Sequence, residues 1–321
     1  MIFEGLPTTP TSDELLDQAF SRAARSGRAK HGVEAQESML LTASNVLSDN
    51  LGNVVRAWPD FDTVDPFYYE LADVLVDVNA LRQSLSEVSW ASRKTNELGR
   101  EYQGKVRGKD PEAARRIRKQ GFARMADVVE EVADDLQRIA DARESLRHLP
   151  DIRPDDPTIV IAGYPNVGKS SFLNEVTNAR TEIAEYPFTT KGVQLGHVEQ
   201  DHIRYQLVDT PGLLDRPMAE RNEIERQAVS ALSHVADGIV FLVDASGSCG
   251  YPVDDQLVLR DELRERFEAP LLTVCNKADL SEAVDADYYM SVTENEGVQT
   301  VLEAAIEAIG YEPELPFEGS D

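Results

Sequence analysis

The chain has 321 residues, a formal net charge of −26 and a sequence pI of about 4.5, with 41% hydrophobic residues and 2 cysteines. That is long enough for two domains with separate cores, too poor in cysteine for a disulfide framework, and too acidic for a surface that binds nucleic acid throughout. No apolar run approaches 18 residues and the start Met1-Ile2-Phe3-Glu4-Gly5 carries no signal-peptide pattern, so the expected location is the cytoplasm, with no membrane partner.

Residues 1–150 read as an all-α helical bundle, with helices expected over 13–29, 33–58, 66–85, 87–102 and 111–148. In the last of these, Ile117, Met125, Val128, Val129, Val132, Leu136, Ile139 and Leu146 recur mainly at spacings of three, four or seven, as a bundle-packing stripe requires. Asp110-Pro111 supplies its start, with proline at the first helical position. Between Arg93 and Arg124 eleven Lys or Arg face four Asp or Glu, a local +7 that leaves −33 for everything else. Arg115, Arg116, Arg118 and Lys119 lie there, and a smaller cluster comprises Arg22, Arg25, Arg28 and Lys30. Basic patches on an acidic background point to a polyanion; the alternative is a solvated helix face with intrachain ion pairs. The acidity elsewhere reads as adaptation to concentrated salt, which screens self-repulsion to within a few ångströms.

A proline-rich joint covers 151–157, a domain of strands alternating with helices covers 158–310, and an acidic tail, expected to be disordered, covers 311–321. The alternation implies an α/β domain, a mostly parallel sheet with helices on both faces and its ligand at the carboxyl ends of the strands. The strand over 158–162 leads into Gly163-Tyr164-Pro165-Asn166-Val167-Gly168-Lys169-Ser170 and then a helix. A GxxxxGK[ST] loop in that setting is a phosphate cradle: backbone N–H groups of Asn166, Val167, Gly168, Lys169, Ser170 and Ser171 close on the oxygens at a helix N-terminus. Lys169 is placed for the β- and γ-phosphates, and the Ser170 hydroxyl for Mg²⁺.

Within Tyr186-Pro187-Phe188-Thr189-Thr190-Lys191, Thr190 is expected to complete the metal shell in preference to Thr189. The strand over 205–208 ends in Asp209-Thr210-Pro211-Gly212, with Asp209 placed to hold Mg²⁺ through its waters and the Gly212 N–H to meet a γ-phosphate. A further strand over 238–244 precedes one over 271–275, which runs into Asn276-Lys277-Ala278-Asp279. The Asp279 carboxylate can accept both the ring N–H and the exocyclic amine of guanine, a donor pair adenine lacks, so the base is expected to be guanine. Ser291-Val292-Thr293 is the expected contact for the guanine carbonyl, through backbone N–H groups. Leu213 stands where many GTPases carry a water-orienting glutamine, so the water must be positioned otherwise. Asn166 could help hold a monovalent cation; its alternative role is a turn residue with an unusual backbone angle.

The run Asp209 to Pro217, its continuation Glu220-Arg221-Asn222-Glu223-Ile224-Glu225 to Gln227-Ala228, Phe188-Thr189-Thr190-Lys191, Asp244-Ala245-Ser246 with Cys249-Gly250, Asp65-Pro66-Phe67-Tyr68-Tyr69 and Leu146-Arg147-His148-Leu149-Pro150 resemble the nucleolar GTP-binding protein family, related to the Obg GTPases. The resemblance spans nearly the whole chain, in an archaeal-type form without the long C-terminal extension of nucleolar members. It implies a large-ribosomal-subunit assembly factor binding GTP or GDP, a slow GTPase stimulated by a partner or by potassium at the Asn166 position. The residues expected to carry hydrolysis are Lys169, Thr190, Gly212 and Asn166. The expected partner is the precursor large subunit and its rRNA, docked through the Arg93 to Arg124 region, with no DNA and a monomer when free. A different class of function, a scaffold that uses GTP binding alone, stays open beside hydrolysis. A metabolic P-loop transferase is disfavoured because no second-substrate pocket is apparent.

Overall fold

The computed structural model describes residues 2–149, 151–178, 181–184 and 192–311. The run Tyr186 to Lys191, with the expected metal ligand Thr190 and its alternative Thr189, and the tail beyond Tyr311 lie outside the described residues. The chain divides into two compact units: residues 2–63 with 75–147, and residues 64–74 with 148 onward.

In the helical unit, α1 (Ser12–Arg28) starts on a capping box in which Thr11 and Glu14 satisfy each other's backbone N–H groups. It packs on α2 (Gly32–Arg56). Next in sequence comes α3 (Pro66–Leu75), which belongs to the other unit: Phe67, Tyr68, Leu71 and Ala72 are buried there, and the Tyr68 hydroxyl donates to the Ile152 carbonyl at 2.7 Å. The expected helix over 66–85 is therefore two helices. Its apolar pattern runs through Leu75 and Val76, but the Asp77 carboxylate accepts from the Ala80 N–H at 2.9 Å and starts α4 (Val78–Val106). The expected helix over 111–148 is likewise divided, into α5 (Pro111–Glu131) and α6 (Ala133–Leu146), at Val132 with φ −101° and ψ 16°. Glu130 and Glu131 are unfavourable at a helix C-terminus, whereas Asp134 and Asp135 are favourable in a first turn, so the charges suit a break there. The apolar stripe crosses it: Met125, Val129, Val132, Leu136 and Ile139 are all buried.

The α2–α4 contact is the most extensive helix pair in this unit, with Leu40, Leu47 and Leu51 on one side and Leu81, Val88 and Leu98 on the other, all buried. It is close because α4 presents Gly99 to Ser44, and a Cβ on Gly99 would collide with the Ser44 side chain.

The second unit carries a seven-stranded sheet among the described residues. In chain order it comprises β1 (Thr158–Ala162), α7 (Lys169–Val176), β2 (Thr181–Ala184), β3 (Val193–Gln200), β4 (Ile203–Asp209), α8 (Glu223–Ser233), β5 (Gly238–Asp244), α9 (Val253–Arg266), β6 (Leu271–Asn276), β7 (Tyr288–Tyr289) and α10 (Val298–Ile309). The spatial order is β2-β3-β4-β1-β5-β6-β7, antiparallel across β2, β3 and β4 and parallel from β4 to β7. Strands β1 and β5 are buried along their whole length, which requires cover on both faces. The joint is tied to the sheet by Gln206, fully buried on β4. Its amide donates to the Arg153 and Asp156 carbonyls and to Thr158 Oγ1, and accepts from the Arg153 N–H.

Replacing Gly99 by alanine is expected to destabilise the helical unit by about 1–3 kcal/mol, because neither α2 nor α4 can yield without disturbing a packed face. Urea unfolding followed by circular dichroism measures it; an unchanged midpoint would show that the contact tolerates a methyl group.

Candidate nucleotide site

The parallel strands all end at one edge of the sheet, and their last residues are polar. Asp209 closes β4 beside Ile161, while Asp244 closes β5 in register with Asn276 of β6. From β1 the chain turns through Gly163 (φ 134°), Asn166 (φ 62°) and Gly168 (φ 109°) before α7 begins at Lys169. A Cβ on Gly163 would meet the Leu242 carbonyl and one on Gly168 the Asn276 amide, so both glycines are required by close approach as well as by conformation. Asn166 has the unusual backbone angle of a turn residue; its exposed carboxamide has no partner among the described residues.

Lys169 is buried at 7% exposure, its ammonium donating to the Gly163 carbonyl at 2.7 Å and the Tyr164 carbonyl at 2.9 Å. Ser170 Oγ donates to Asp209 Oδ2 at 2.5 Å. Asp209 is fully buried, and its Oδ1 has no hydrogen-bond partner among the described residues. Burial pushes its carboxyl up, against the Ser170 hydrogen bond and the Lys169 charge. An orphan carboxylate oxygen beside a serine hydroxyl fits Mg²⁺, a hard cation with oxygen ligands and retained waters.

Across the cavity, Gly212 (φ 86°) directs its N–H to Asp215 Oδ2 at 2.9 Å. The cavity has a volume of about 510 Å³ and is lined by Pro165, Asn166, Gly168, Lys169, Ser170, Ser171, Pro211, Gly212 and Asp215. Leu213 is 1% exposed, part of the buried core. Arg216 is held by Glu225 at 2.6 Å, in the N-terminal capping box of α8. Arg221 donates to the Arg216 carbonyl, and burial draws its guanidinium down to about 10.

The base-side loop is bonded to the phosphate loop. Asn276 Nδ2 donates to the Val167 carbonyl at 2.8 Å, and Lys277 Nζ to the Asn166 carbonyl at 2.9 Å. Asp279 is exposed, and its carboxylate has no partner among the described residues. The Ser291 N–H is committed to the Glu296 carbonyl at 2.9 Å, whereas the Val292 N–H makes a longer bond, 3.2 Å, to Asn276 Oδ1. The structure thus brings residues 166–171, Asp209, Gly212 and the loops at 276–279 and 291–292 to one edge of the sheet. Sequence reasoning missed two participants, Asp215 and Asp244. Asp244 had a signal: it closes an otherwise wholly apolar strand, at the position where Asp209 and Asn276 close theirs.

Residues 3–153 match a family model described as the NOG1 N-terminal helical domain, and residues 158–277 one described as a 50S ribosome-binding GTPase. An uncharacterized protein of Methanocaldococcus jannaschii is 39% identical across 87% of this chain and 81% of its own length. Nucleolar GTP-binding protein 1 of Drosophila melanogaster is 35% identical across 72% of this chain, and that of Eremothecium gossypii 31% identical across 89%. The chain spans 36% and 46% of those two nucleolar relatives, less than half of each. A solved structure assigned as nucleolar GTP-binding protein 1 of Plasmodium falciparum is 31% identical over 50% of this chain and 90% of that one, with a TM-score of 0.46.

The Asp215 carboxylate occupies the Gly212 N–H, the group expected from the sequence to meet a γ-phosphate. Asp215→Ala is therefore expected to favour triphosphate over diphosphate by roughly 3- to 10-fold, the worth of one hydrogen bond. Titration with fluorescent GTP and GDP measures the ratio; an unchanged ratio would show that Asp215 does not compete.

Proposed function

Because this chain belongs to the nucleolar GTP-binding protein 1 family, with a helical domain ahead of a P-loop GTPase domain, we propose that it binds and hydrolyses GTP as a switch in assembly of the large ribosomal subunit. The observation that carries the nucleotide part is the hydrogen bonding of the 276–279 loop to the phosphate loop, which fixes the distance between a base-reading carboxylate and a phosphate cradle.

In this reading Asp279 selects guanine, and Val292, whose N–H is held by the weaker bond, turns it toward the guanine carbonyl. Asn166, Val167, Gly168, Lys169, Ser170 and Ser171 hold the phosphates, and Lys169 leaves its two backbone carbonyls to meet them. Ser170 and Asp209, with Thr190, would hold Mg²⁺, which when bound neutralises charge developing on the phosphate oxygens. Gly212 gives its N–H to the terminal phosphate once Asp215 releases it. Leu213 excludes water from its side and cannot orient it. The Asn166 carboxamide, at the cavity rim and without a partner among the described residues, is the group we assign to a potassium ion, the charge that Arg216 and Arg221, already engaged with Glu225 and the Arg216 carbonyl, do not provide. Single-turnover hydrolysis should be faster in KCl than in NaCl at equal ionic strength, and Asn166→Ala should remove the difference; equal rates in wild type would sink the potassium assignment.

Docking on rRNA is assigned to the Arg93 to Arg124 region of α4 and α5. Some of its cations pair locally: Lys94 with Glu97, Lys105 with Glu101 and Arg124 with Asp127. Arg118 packs, donating to Gln36 at 2.8 Å and lying 4.9 Å over the Phe122 ring. It therefore belongs to the fold rather than to a partner. Arg115, Arg116 and Lys119 are exposed and have no ion pair among the described residues, which supports the polyanion reading over the paired one. We place the protein in the cytoplasm, as a salt-adapted monomer when free. No helix among the described residues is long and apolar enough to cross a membrane. Buried Leu213 favours a second reading, in which GTP binding alone orders the switches and hydrolysis is incidental.

Arg115→Glu/Arg116→Glu/Lys119→Glu should lose co-sedimentation with large-subunit precursors, by tenfold or more at moderate salt, since three phosphate contacts each carry about 0.7 to 0.9 logarithmic units per tenfold change in salt. GTP affinity should stay as in wild type. Normal co-sedimentation by the folded variant would refute docking through α5. Hydrolysis that precursor particles leave unchanged would favour the scaffold.

A further inference from the structure

We propose that Asp244 is a positioning residue of the nucleotide site: it holds Lys277, and through Lys277 keeps the base-reading loop attached to the phosphate loop. This inference rests on the guanine-nucleotide reading of the site.

Asp244 is fully buried at the end of β5, yet its carboxylate is saturated with donors. Oδ1 accepts from the Ser246 N–H at 2.9 Å and Ser246 Oγ at 2.5 Å. Oδ2 accepts from Ser248 Oγ at 2.9 Å, the Cys249 N–H at 2.7 Å and Lys277 Nζ at 2.7 Å. Burial alone would raise its pKa, but these bonds outweigh burial and hold the carboxyl far below the usual carboxylate range, so it is an anion at any working pH. Its backbone is fixed as firmly. Gln256, also fully buried, accepts from the Asp244 N–H at 2.9 Å and donates to the Asp244 carbonyl at 3.2 Å and the Tyr251 carbonyl at 3.0 Å.

Lys277 is what this fixed anion acts on. The residue adopts φ 57°, a left-handed conformation that a side chain with a Cβ rarely takes and that persists only where its surroundings over-determine it. Its ammonium is shared among Asp244 Oδ2, Ser248 Oγ at 2.8 Å and the Asn166 carbonyl. A lysine on a flexible four-carbon stem is strongly hydrated and, without a fixed anion, turns to water. The bond to Asn166 would then be lost, leaving Asn276 as the remaining described side-chain bond from this loop to the phosphate loop. Asp279 lies two residues beyond Lys277, so the grip on the base loosens relative to the grip on the phosphates.

Neither Asp244 nor Lys277 lines the phosphate cavity, so the loss is expected to fall equally on GDP and GTP. That is a change in uniform binding, which raises KM and leaves turnover at saturation far less affected. Fluorescent GDP and GTP are titrated into the full chain carrying Asp244→Asn, Lys277→Met, or both. Asp244→Asn is expected to weaken both nucleotides by the same factor, about 10- to 100-fold, as for hydrogen bonds to a charged group. Preference for GDP over ADP narrows with it, because the loss falls on the base side, and the double variant is no weaker than Lys277→Met alone, because the two residues act as one unit. Wild-type affinity in Asp244→Asn, a loss confined to GTP, or single losses that multiply in the double variant would each overturn the proposal. If Asp244→Asn does not fold, exposed Ser248→Ala decides: removing one Lys277 partner should weaken both nucleotides roughly 2- to 5-fold, and no change overturns the proposal. Absence of guanine-nucleotide binding by the wild-type chain would instead overturn the reading of the site itself.

Discussion

Two side chains from one loop join the halves of the candidate site. The Asn276 amide on the Val167 carbonyl and the Lys277 ammonium on the Asn166 carbonyl connect the end of β6 to the turn after β1, across the intervening strand β5. A nucleotide has a rigid base at one end and charged phosphates at the other, and it gains from both ends only if the protein sets their separation beforehand. The glycines serve the same constraint: the Asn276 amide lies where a Cβ on Gly168 would be, so the cross-link needs glycine there.

The two buried carboxylates that close β4 and β5 show how one structural position takes opposite electrostatic roles. Asp244 is ringed by donors and held as an anion, with its charge committed to a lysine. Among the described residues Asp209 has one hydroxyl donor and an oxygen without a partner, and burial pushes its carboxyl up. A carboxylate left short of partners in a buried place is costly unless something supplies positive charge. The first residue is therefore a finished part of the framework, while the second suits a cation that comes and goes with its phosphates.

In the helical unit the close helix contacts depend on small residues, Gly99 against Ser44 and Gly121 against Leu40 and Tyr102. Four positions of one basic run divide in role by where the helix turns them. Arg118 is drawn over Phe122, which itself stacks on Phe20 at 4.6 Å, while Arg115, Arg116 and Lys119 remain in solvent.

The phosphate loop and the strands β1 and β5 were legible in the sequence to the residue, because each depends on local patterning: an unbroken apolar run, a glycine spacing that admits one backbone path. Other features had no local signal. The division of 66–85 at Asp77 was hidden by an apolar pattern continuing through Val76, and the antiparallel β2–β3 pair depends on hydrogen bonds between segments rather than within one. The Asp215 carboxylate on the Gly212 N–H follows from the turn over 212–215, and the Lys277–Asp244 pair joins residues 33 apart in sequence. Side-chain chemistry and periodicity are written in the order of residues, so the chain alone indicated a nucleotide site and its base. Which carboxylate is saturated and which is left open depends on burial and on donors brought from distant strands, and only the tertiary structure decides that.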